Sequence, residues 1–463
     1  MANSRQLVWL RSDLRLADNP ALFRAHQAGA VIACFALTPG QWRAHHDSPA
    51  KLGLAHDLLS HLAEALAARN IPLKIISVPD YAQLPKALVA LAAELGAEAI
   101  WCNREYPLNE VRRDQAVAAA CQAAGLGFNV LEGDLVLAPG QVVTGQGQMF
   151  QVFTPFARRW RQVLTSAAWQ CLPAPKKQPA VAVVNDPIPT FGGGYRRDLW
   201  PAKPRQIAGR LAAFCDHSLV DYEVARDFPA HKGTALLSPY LALGAVSARQ
   251  CLAEVEARHG PDGLAGQWLT ELIWREFYRH LLYARPDISR GKSFKVAGDD
   301  VRWADSGLFE RWCRGQTGVP IVDAGMRQLL RSGWMHNRLR MITAAFLSKL
   351  MLIDWHLGEA YFMSRLIDGD FASNNGGWQW SASVGADAAP YFRIFNPYRQ
   401  AERFDPNGDF VRRFVPELAS LTGKAIHQPS AEQCRQLGYP LPIIHYQLAR
   451  EQALAVFAEA FKR

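Results

Sequence analysis

Residues 268–281 are WLTELIWREFYRHL, and residues 333–347 are GWMHNRLRMITAAFL. Both stretches carry apolar residues at helical spacing, yet tryptophans and charged side chains alternate along them. Eight of the 14 tryptophans lie between Trp268 and Trp380. Burying charges without partners is costly, so these helices must pair them with each other or with a ligand. A flat aromatic cofactor between aromatic walls meets both needs.

A third stretch, residues 366–380, is LIDGDFASNNGGWQW. Its DGD start is similar to a calcium loop, but Ser373 and Gln379 stand where such a loop needs Gly and Glu. We therefore expect no metal here or elsewhere in the chain. The acids, amides and glycines predict a polar loop pressed against a flat group, with a helix-capping turn as the alternative.

Residues 234–239, TALLSP, predict the start of a helix. Ser238 suits the N-cap and Pro239 the first helical position, so exposed amides at this point would suit a phosphate. An ordinary capped helix is the alternative. In the 268–281 stretch, Trp268, Glu271 and Arg275 share one helical face, where a surface Glu/Arg pair is the alternative to a binding site.

The composition sets broad limits. With 463 residues, the chain predicts two domains and a connection, and 49% hydrophobic with 20% charged residues indicates a globular protein. No apolar run reaches the ~18 residues of a membrane span, so we expect a cytoplasmic protein without membrane contact. The eight cysteines lack a CxxC pair and predict reduced thiols. A net charge of +9 suits a polyanionic partner.

Strand and helix signals alternate in the first third of the chain. Strands are predicted at 6–10, 31–37, 73–78, 99–102 and 128–131, and helices at 50–69, 83–96 and 109–124. This series predicts a Rossmann-like α/β domain with a parallel sheet over residues 1–132. Residues 133–203 lose periodicity and predict a linker, and residues 204–463 predict an all-helical domain.

The first two stretches, together with LIDGDFASNNGGWQWSASVGADAAPYFRIFNP at 366–397, resemble the flavin domain of class I cyclobutane pyrimidine dimer photolyases. RSDLRLADNPAL at 11–22 and FTPFARRW at 153–160 extend the resemblance toward the N-terminus. It implies a monomeric DNA-repair lyase without a protein partner. Such an enzyme splits dimers in DNA by electron transfer from light-excited reduced FAD.

The resemblance also implies the FAD contacts, all within the predicted helical domain. They are Tyr222, Thr234, Leu236, Leu237, Ser238, Trp268, Arg275, Asn337, Arg340, Asp368, Asp370 and Asn374. Among them, Thr234 and Ser238 suit the pyrophosphate and Asp370 a flavin or ribose donor. Arg340 would neutralise Asp368, and the Asn374 amide would bind the flavin N5 edge.

The substrate residues follow from the same resemblance, for a dimer that is flipped out of the duplex. They are Arg226, Glu271, Trp274, Asn337, Arg338, Met341 and Trp380, with Glu271, Asn337 and Asn374 as the catalytic set. Trp274 and Trp380 would stack on the bases, and Arg226 would bind the backbone. A relay that reduces oxidised flavin under light would comprise Trp303, Trp355 and Trp378.

The resemblance further implies that residues 1–132 bind an antenna of the methenyltetrahydrofolate type, through His45, Asn109 and Glu110. Arg290 stands where the family has an antenna-contacting lysine, unless a local shift supplies Lys292. A deazaflavin or an empty antenna site stays open.

Three other functions are alternatives to repair of cyclobutane dimers. They are a cryptochrome-like photosensor, a six-four photolyase, and a basic flavoprotein with no DNA role. Asn374 favours repair over sensing. Asn337 and Met341 stand where six-four photolyases have histidines, which argues against that class. Arg226, Trp274 and Trp380, as DNA contacts implied by the resemblance, argue against a flavoprotein with no DNA role.

Overall fold

The computed structural model describes residues 4–304 and 307–462, which fall into two compact units. The first unit comprises Met1–Phe150, Thr154–Asp216 and Leu236–Pro286, and the second comprises Gln151–Phe153, His217–Ala235 and Asp287–Arg463. The division predicted from sequence, into 1–132, 133–203 and 204–463, rests on periodicity rather than on compactness. It stays a prediction.

A five-stranded parallel sheet organises the first unit, in the order β3–β2–β1–β4–β5. The strands are β1 Arg5–Leu10, β2 Ala30–Leu37, β3 Leu73–Ser77, β4 Ala97–Asn103 and β5 Gly127–Leu131, each within two residues of its predicted bounds. Strands β1 and β2 are buried along almost their whole length, as expected of a parallel sheet packed on both faces. The α/β class predicted for this part of the chain is confirmed.

Capping residues set where the helices of the first unit begin. Asn19 accepts a hydrogen bond from the amide of Leu22, and Ser48 accepts one from that of Lys51, with a proline in the first turn of each helix. These bonds satisfy amides that have no partner inside the helix. The α-helices lying wholly or mostly in this unit are Pro20–Ala28, Pro39–Ala44, Pro49–Ala67, Leu84–Glu94, Leu108–Ala123, Phe153–Val163, Pro204–His217, Ser238–Ala242, Ala248–Gly263 and Gln267–Ala284.

The predicted N-cap at Ser238 is wrong. A short helix, Ser238–Ala242, already includes Ser238, and its N-cap is Leu237, whose side chain makes no capping bond. The side-chain cap lies further on, at Ser247, which forms a capping box with Gln250 and starts the helix Ala248–Gly263. The reciprocal bonds of that box satisfy two backbone amides at the start of the helix.

The second unit is helical throughout its regular structure in the described residues. Its α-helices are Tyr222–Ala225, Phe309–Cys313, Pro320–Ser332, Asn337–Ala345, Trp355–Arg365, Phe371–Ser381, Pro397–Phe404, Asp409–Phe414, Lys424–His427, Ala431–Leu437 and Tyr446–Ala460, with a π-helical turn at Phe346–Leu350. Trp312, Trp355 and Trp378 lie in its hydrophobic core. The helical class predicted for this part is confirmed.

The polar loop predicted at 366–380 is wrong for most of its length. Asp370 accepts a hydrogen bond from the amide of Ser373 and caps a helix, Phe371–Ser381, that contains Gly376, Gly377 and both tryptophans of the motif. The alternative of a helix-capping turn is therefore confirmed. The cap and the packing of Trp378 in the core outweigh the low helix propensity of the two glycines.

The eight cysteines are free thiols, as predicted, and seven of them are buried. Within the described ranges, no helix has the length and apolarity that a membrane crossing requires.

Candidate functional site

An ion pair between Arg340 and Asp368 anchors the candidate cofactor site of the second unit. Arg340 Nη2 lies 3.0 and 2.8 Å from the two oxygens of Asp368, and the Asp368 side chain is only 2% exposed. Arg340 also donates from Nε to the carbonyl of Met335, at 2.8 Å. The pair anticipated from sequence is thus present, fixed between the helix Asn337–Ala345 and the segment that precedes Phe371–Ser381.

Asn374 lies one turn into the helix that Asp370 caps. Its amide nitrogen donates to the carbonyl of Glu359, at 3.0 Å, and the neighbouring Asn375 donates to the Glu359 carboxylate, at 3.0 Å. One N–H of Asn374 is therefore committed to the protein. Among the described residues, its carbonyl oxygen and its second N–H take no further partner, so both are available to a ligand.

Gly377, on the same helix as Asn374, borders open space. A Cβ placed on Gly377, one turn after Asn374, would meet no heavy atom within 4 Å. The indole nitrogen of the buried Trp378 has no hydrogen-bond partner among the described residues. A polar edge, free volume and an aromatic core together fit a flat cofactor such as FAD.

Two further predicted cofactor residues of this unit, Tyr222 and Thr234, lie within its segment His217–Ala235. Tyr222 is buried, and the Arg226 guanidinium lies 5.6 Å from its ring centroid. Thr234 is half-buried. Leu236, Leu237, Ser238, Trp268 and Arg275 belong to the first unit.

Within the first unit, the helix Gln267–Ala284 carries four predicted site residues. Trp268 packs on Phe214, with ring centroids 5.0 Å apart. Glu271 accepts a hydrogen bond from Gln267, at 3.0 Å. Trp274 is half-buried and lies 5.7 and 5.6 Å from the ring centroids of its helix neighbours Phe277 and Tyr278.

Arg275 is held by a carboxylate that the sequence did not reveal. Asp134, in the predicted linker, binds Arg275 with one oxygen and Arg279 with the other. Burial alone would raise the pKa of Asp134, but the two guanidinium groups hold it well below its usual range. The only signal in the sequence was the i, i+4 spacing of Arg275 and Arg279. This spacing places two like charges on one otherwise buried helix face, where they need a shared anion.

Glu276 is a second group that the sequence analysis missed. Its carboxylate accepts hydrogen bonds from the amides of Val136 and Leu137 and from the Trp160 indole, the last at 2.6 Å. Burial raises the pKa of Glu276 to about 7. It ties the segment after the sheet to the helix Gln267–Ala284, and we regard it as structural.

The three predicted relay tryptophans all lie in the second unit. Trp355 and Trp378 are buried, whereas Trp303 is half-buried. The ring of Trp378 lies 4.9 Å from that of Phe362 and 6.0 Å from that of Trp312. Trp312 was not singled out from sequence, although it contacts Trp378 directly.

Arg338, on the helix Asn337–Ala345, is a predicted substrate residue with contacts on several sides. It forms an ion pair with Asp227 and lies 4.3 Å from the Phe404 ring centroid. Its Nη1 is 3.9 Å from the Met341 sulfur. Asn337 is exposed at the first position of this helix, and Arg226 and Trp380 are half-buried.

His45, Asn109 and Glu110, the predicted antenna residues, lie together in the first unit. Asn109 Nδ2 is 2.9 Å from His45 Nε2, and His45 Nδ1 is 3.5 Å from Glu110 Oε1. Tyr81, missed from sequence, donates to the same oxygen at 3.2 Å. Glu110 Oε2 is buried with no partner among the described residues, and burial raises the pKa of Glu110. An orphaned carboxylate oxygen fits a ligand that donates a hydrogen bond.

Arg290 and Lys292 belong to the second unit. Arg290 ends a short 3₁₀-helix, and Lys292 pairs with Asp299 at 3.1 Å. In the described part of the chain, no three His, Cys, Asp or Glu side chains group as metal ligands.

Comparisons with known proteins agree along the chain. A family model for the FAD-binding domain of DNA photolyase matches residues 268–459, and one for DNA photolyase matches residues 6–179. A deoxyribodipyrimidine photo-lyase of Vibrio cholerae is 45% identical, over 98% of this chain and 99% of that protein.

Two solved structures share the fold. A class III photolyase from Agrobacterium tumefaciens superposes with a TM-score of 0.87 at 36% identity, over 100% of this chain and 99% of that one. A cryptochrome from Synechocystis sp. PCC6803 superposes with a TM-score of 0.85 at 27% identity, over 98% of this chain and 100% of that one. The fold alone therefore does not separate repair from light sensing.

Proposed function

The chain belongs to the DNA photolyase family, and from that premise we propose how its residues carry out light-driven repair of cyclobutane pyrimidine dimers in DNA. The observation that carries this function is the 45% identity, from end to end, with a deoxyribodipyrimidine photo-lyase. The cofactor is FAD, which supplies an electron to the dimer when it is bound, reduced and excited by light.

We assign the flavin side of the site to the polar groups gathered before and within Phe371–Ser381. The Arg340–Asp368 ion pair, with its closest atoms 2.8 Å apart, fixes one edge of the site. Because the two charges compensate, this edge is close to neutral overall. Asn374 would offer its carbonyl oxygen and one N–H to the flavin N5 edge, since its other N–H is bonded to Glu359. Asp370 caps the helix, so its predicted role toward the flavin or ribose is shared with a structural one.

The residues of the first unit keep the roles that the resemblance implies. Trp268, Arg275, Leu236, Leu237 and Ser238 would contact FAD, with the last of these and Thr234 at the pyrophosphate. Glu271 would hydrogen-bond the dimer, and Trp274 would stack on one of its bases. Arg275 is already oriented for such a role, because Asp134 and the Leu241 carbonyl hold its guanidinium.

Substrate binding requires the dimer to leave the duplex, as photolyases require in general. In the second unit, Asn337, Arg338, Met341 and Trp380 would contact the extruded dimer, and we call these four the lesion residues. Trp380 would offer a stacking face worth ~1–3 kcal/mol, and Arg226 would bind a backbone phosphate.

We assign the antenna to the cluster of His45, Asn109 and Glu110. The orphaned Glu110 oxygen would accept from the amino group or ring N–H of a pterin, as in the folate-type antenna that the resemblance implies. Trp378, Trp355 and Trp303 would form the photoreduction relay. Replacing Trp378 with Phe would then block photoreduction yet spare repair by chemically reduced enzyme.

A repair assay separates this function from its alternatives. Purified protein with chemically reduced FAD is mixed with an oligonucleotide that contains one thymine dimer, in blue light and in darkness. Recovery of intact thymines in light alone is the expected result. A parallel oligonucleotide with a six-four photoproduct should remain unrepaired, and absence of light-dependent recovery with both substrates would indicate a cryptochrome-like sensor. We also propose a cytoplasmic monomer that needs no protein partner, which gel filtration with light scattering tests.

A further inference from the structure

We propose that Asp227 is a specificity-determining residue: its carboxylate commits Arg338 to the dimer and withholds it from the phosphates of undamaged DNA. The inference rests on the proposed function, because it takes DNA as the partner of Arg338.

Arg338 is fixed by neighbours on several sides. Asp227 binds its Nη2, the Phe404 ring lies under the guanidinium at 4.3 Å, and the Met341 sulfur is 3.9 Å from Nη1. Its Nε is buried and has no hydrogen-bond partner in the described residues. A guanidinium group held in this way has a fixed orientation and is not free to turn toward a DNA phosphate.

The charge of Arg338 is also compensated. The Arg338 side chain is 19% exposed and that of Asp227 is 30% exposed, so solvent screens the pair only in part. General binding to DNA depends on cations that neutralise phosphates and release their counterions. A phosphate that approached Arg338 would have to displace a carboxylate and would be repelled by it.

Arg403 provides the contrast within the same cluster. Its guanidinium lies 5.1 Å from the centroid of the same Phe404 ring, but its side chain is exposed. It forms no ion pair with the described residues. One ring thus carries one guanidinium that is free to meet a phosphate and one that is held.

The consequence concerns the ratio of affinities for damaged and undamaged DNA. Phosphate contacts add to both affinities alike, whereas contacts to the dimer add only to the first. By holding Arg338 beside Met341, Asp227 removes one cation from the phosphate contacts that damaged and undamaged DNA share, and keeps this cation for contact with the dimer. Specificity is a difference of affinities, so both effects raise it.

The test uses Asp227→Asn in the FAD-bound protein, which keeps the side-chain shape and removes the charge. Dissociation constants are measured in darkness at several salt concentrations, for one duplex with a single thymine dimer and for its undamaged twin. We expect the variant to bind undamaged DNA about 3- to 10-fold more tightly, with a salt slope steeper by up to about one. The affinity for damaged DNA should rise less, so the ratio of the affinity for damaged DNA to that for undamaged DNA falls. A gain in affinity does not arise from misfolding.

Two further variants decide whether the effect passes through Arg338. In an Arg338→Ala background, Asp227→Asn should leave the ratio unchanged. Glu417→Gln is the matched control, because Glu417 pairs with Arg327 at 2.8 Å with side chains 30% and 22% exposed. It removes the same charge and should leave the ratio unchanged.

Three results would overturn the proposal: an equal gain for both duplexes, a fall in the ratio that persists without Arg338, or the same fall with Glu417→Gln. A wild-type protein without preference for the dimer would instead contradict the proposed function itself.

Discussion

Asp134 binds the guanidinium group of Arg275, which follows it by 141 residues in the sequence. The second oxygen of the same carboxylate binds Arg279, one helical turn further on. Arg338 and Arg340 are likewise held, by Asp227 and Asp368. Three arginines predicted to meet the cofactor or the substrate are thus oriented by aspartates of the protein itself, which reduces the ordering cost of binding.

Replacing Asp134 with Asn should destabilise the protein by about 3 kcal/mol, because two mostly buried cations lose their shared anion. Chemical denaturation measures the free energy of unfolding. Asp216→Asn is the control, since the Asp216–Arg258 pair is 42% and 35% exposed and solvent screening leaves it little effect on stability. Equal effects of the two variants would show that Asp134 is no more than a surface partner.

The sequence predicted the regular structure well because periodicity is local. All five strands lie within two residues of their predicted bounds. The predictions failed where a single capping bond decides, as at Ser238 and along the helix that Asp370 caps. A serine before a proline and a pair of glycines carry local preferences, which tertiary packing then overrides.

The predicted site was incomplete for a different reason. Asp134 lies in a stretch without periodicity. Asp227 directly follows Arg226, to which the resemblance already assigns a contact with the DNA backbone. Their partners, Arg275 and Arg338, lie 141 and 111 residues away in sequence. No local pattern reveals which carboxylate a distant arginine takes, so these positioning residues became visible only in the structure.

Glu276 should make stability depend on pH. Burial raises its pKa from 4.5 to about 7, so the stability that its protonated form contributes is full below pH 4.5. It is lost as the pH rises through 7, because the buried carboxyl group must then ionise. Relative to Glu276→Gln, the wild-type free energy of unfolding should fall by about 3 kcal/mol over this range. Parallel pH curves for the two proteins would contradict the assignment.

Replacing Asn374 with Asp should lower the reduction potential of bound FAD. The new charge would lie near the flavin N5 edge and disfavour an anionic reduced flavin, while FAD stays bound through its other contacts. Spectroscopic titration against redox dyes measures the potential. Ser373→Asp adds the same charge one residue earlier, at the helix start, and should shift the potential less. If the two variants gave the same shift, Asn374 would not adjoin the flavin.

Glu110→Ala should abolish antenna binding in the first unit. The orphaned carboxylate oxygen, which we assign to a pterin donor, is then missing. We expect loss of the near-ultraviolet antenna band after reconstitution with methenyltetrahydrofolate. Repair should slow only in limiting light, because FAD still absorbs directly. Glu94→Ala, on an exposed helix end, should keep the band. An unchanged spectrum for Glu110→Ala would place the antenna elsewhere.

Arg226 and Trp274 should contribute to DNA binding in different ways. Arg226→Ala should weaken binding to damaged and undamaged DNA alike. It should also flatten the dependence of log affinity on log salt concentration by up to about one, as expected for one phosphate contact. Trp274→Ala should weaken binding to dimer-containing DNA by ~1–3 kcal/mol, the worth of one stacked base, and scarcely change undamaged DNA. Because Trp274 also packs on Phe277, at 5.7 Å between ring centroids, thermal unfolding of each variant monitors the fold. Trp274→Phe serves as the conservative rescue and should restore most of the lesion affinity. Equal losses on both DNAs for Trp274→Ala, in a protein that remains folded, would make Trp274 a packing residue and remove it from the substrate site.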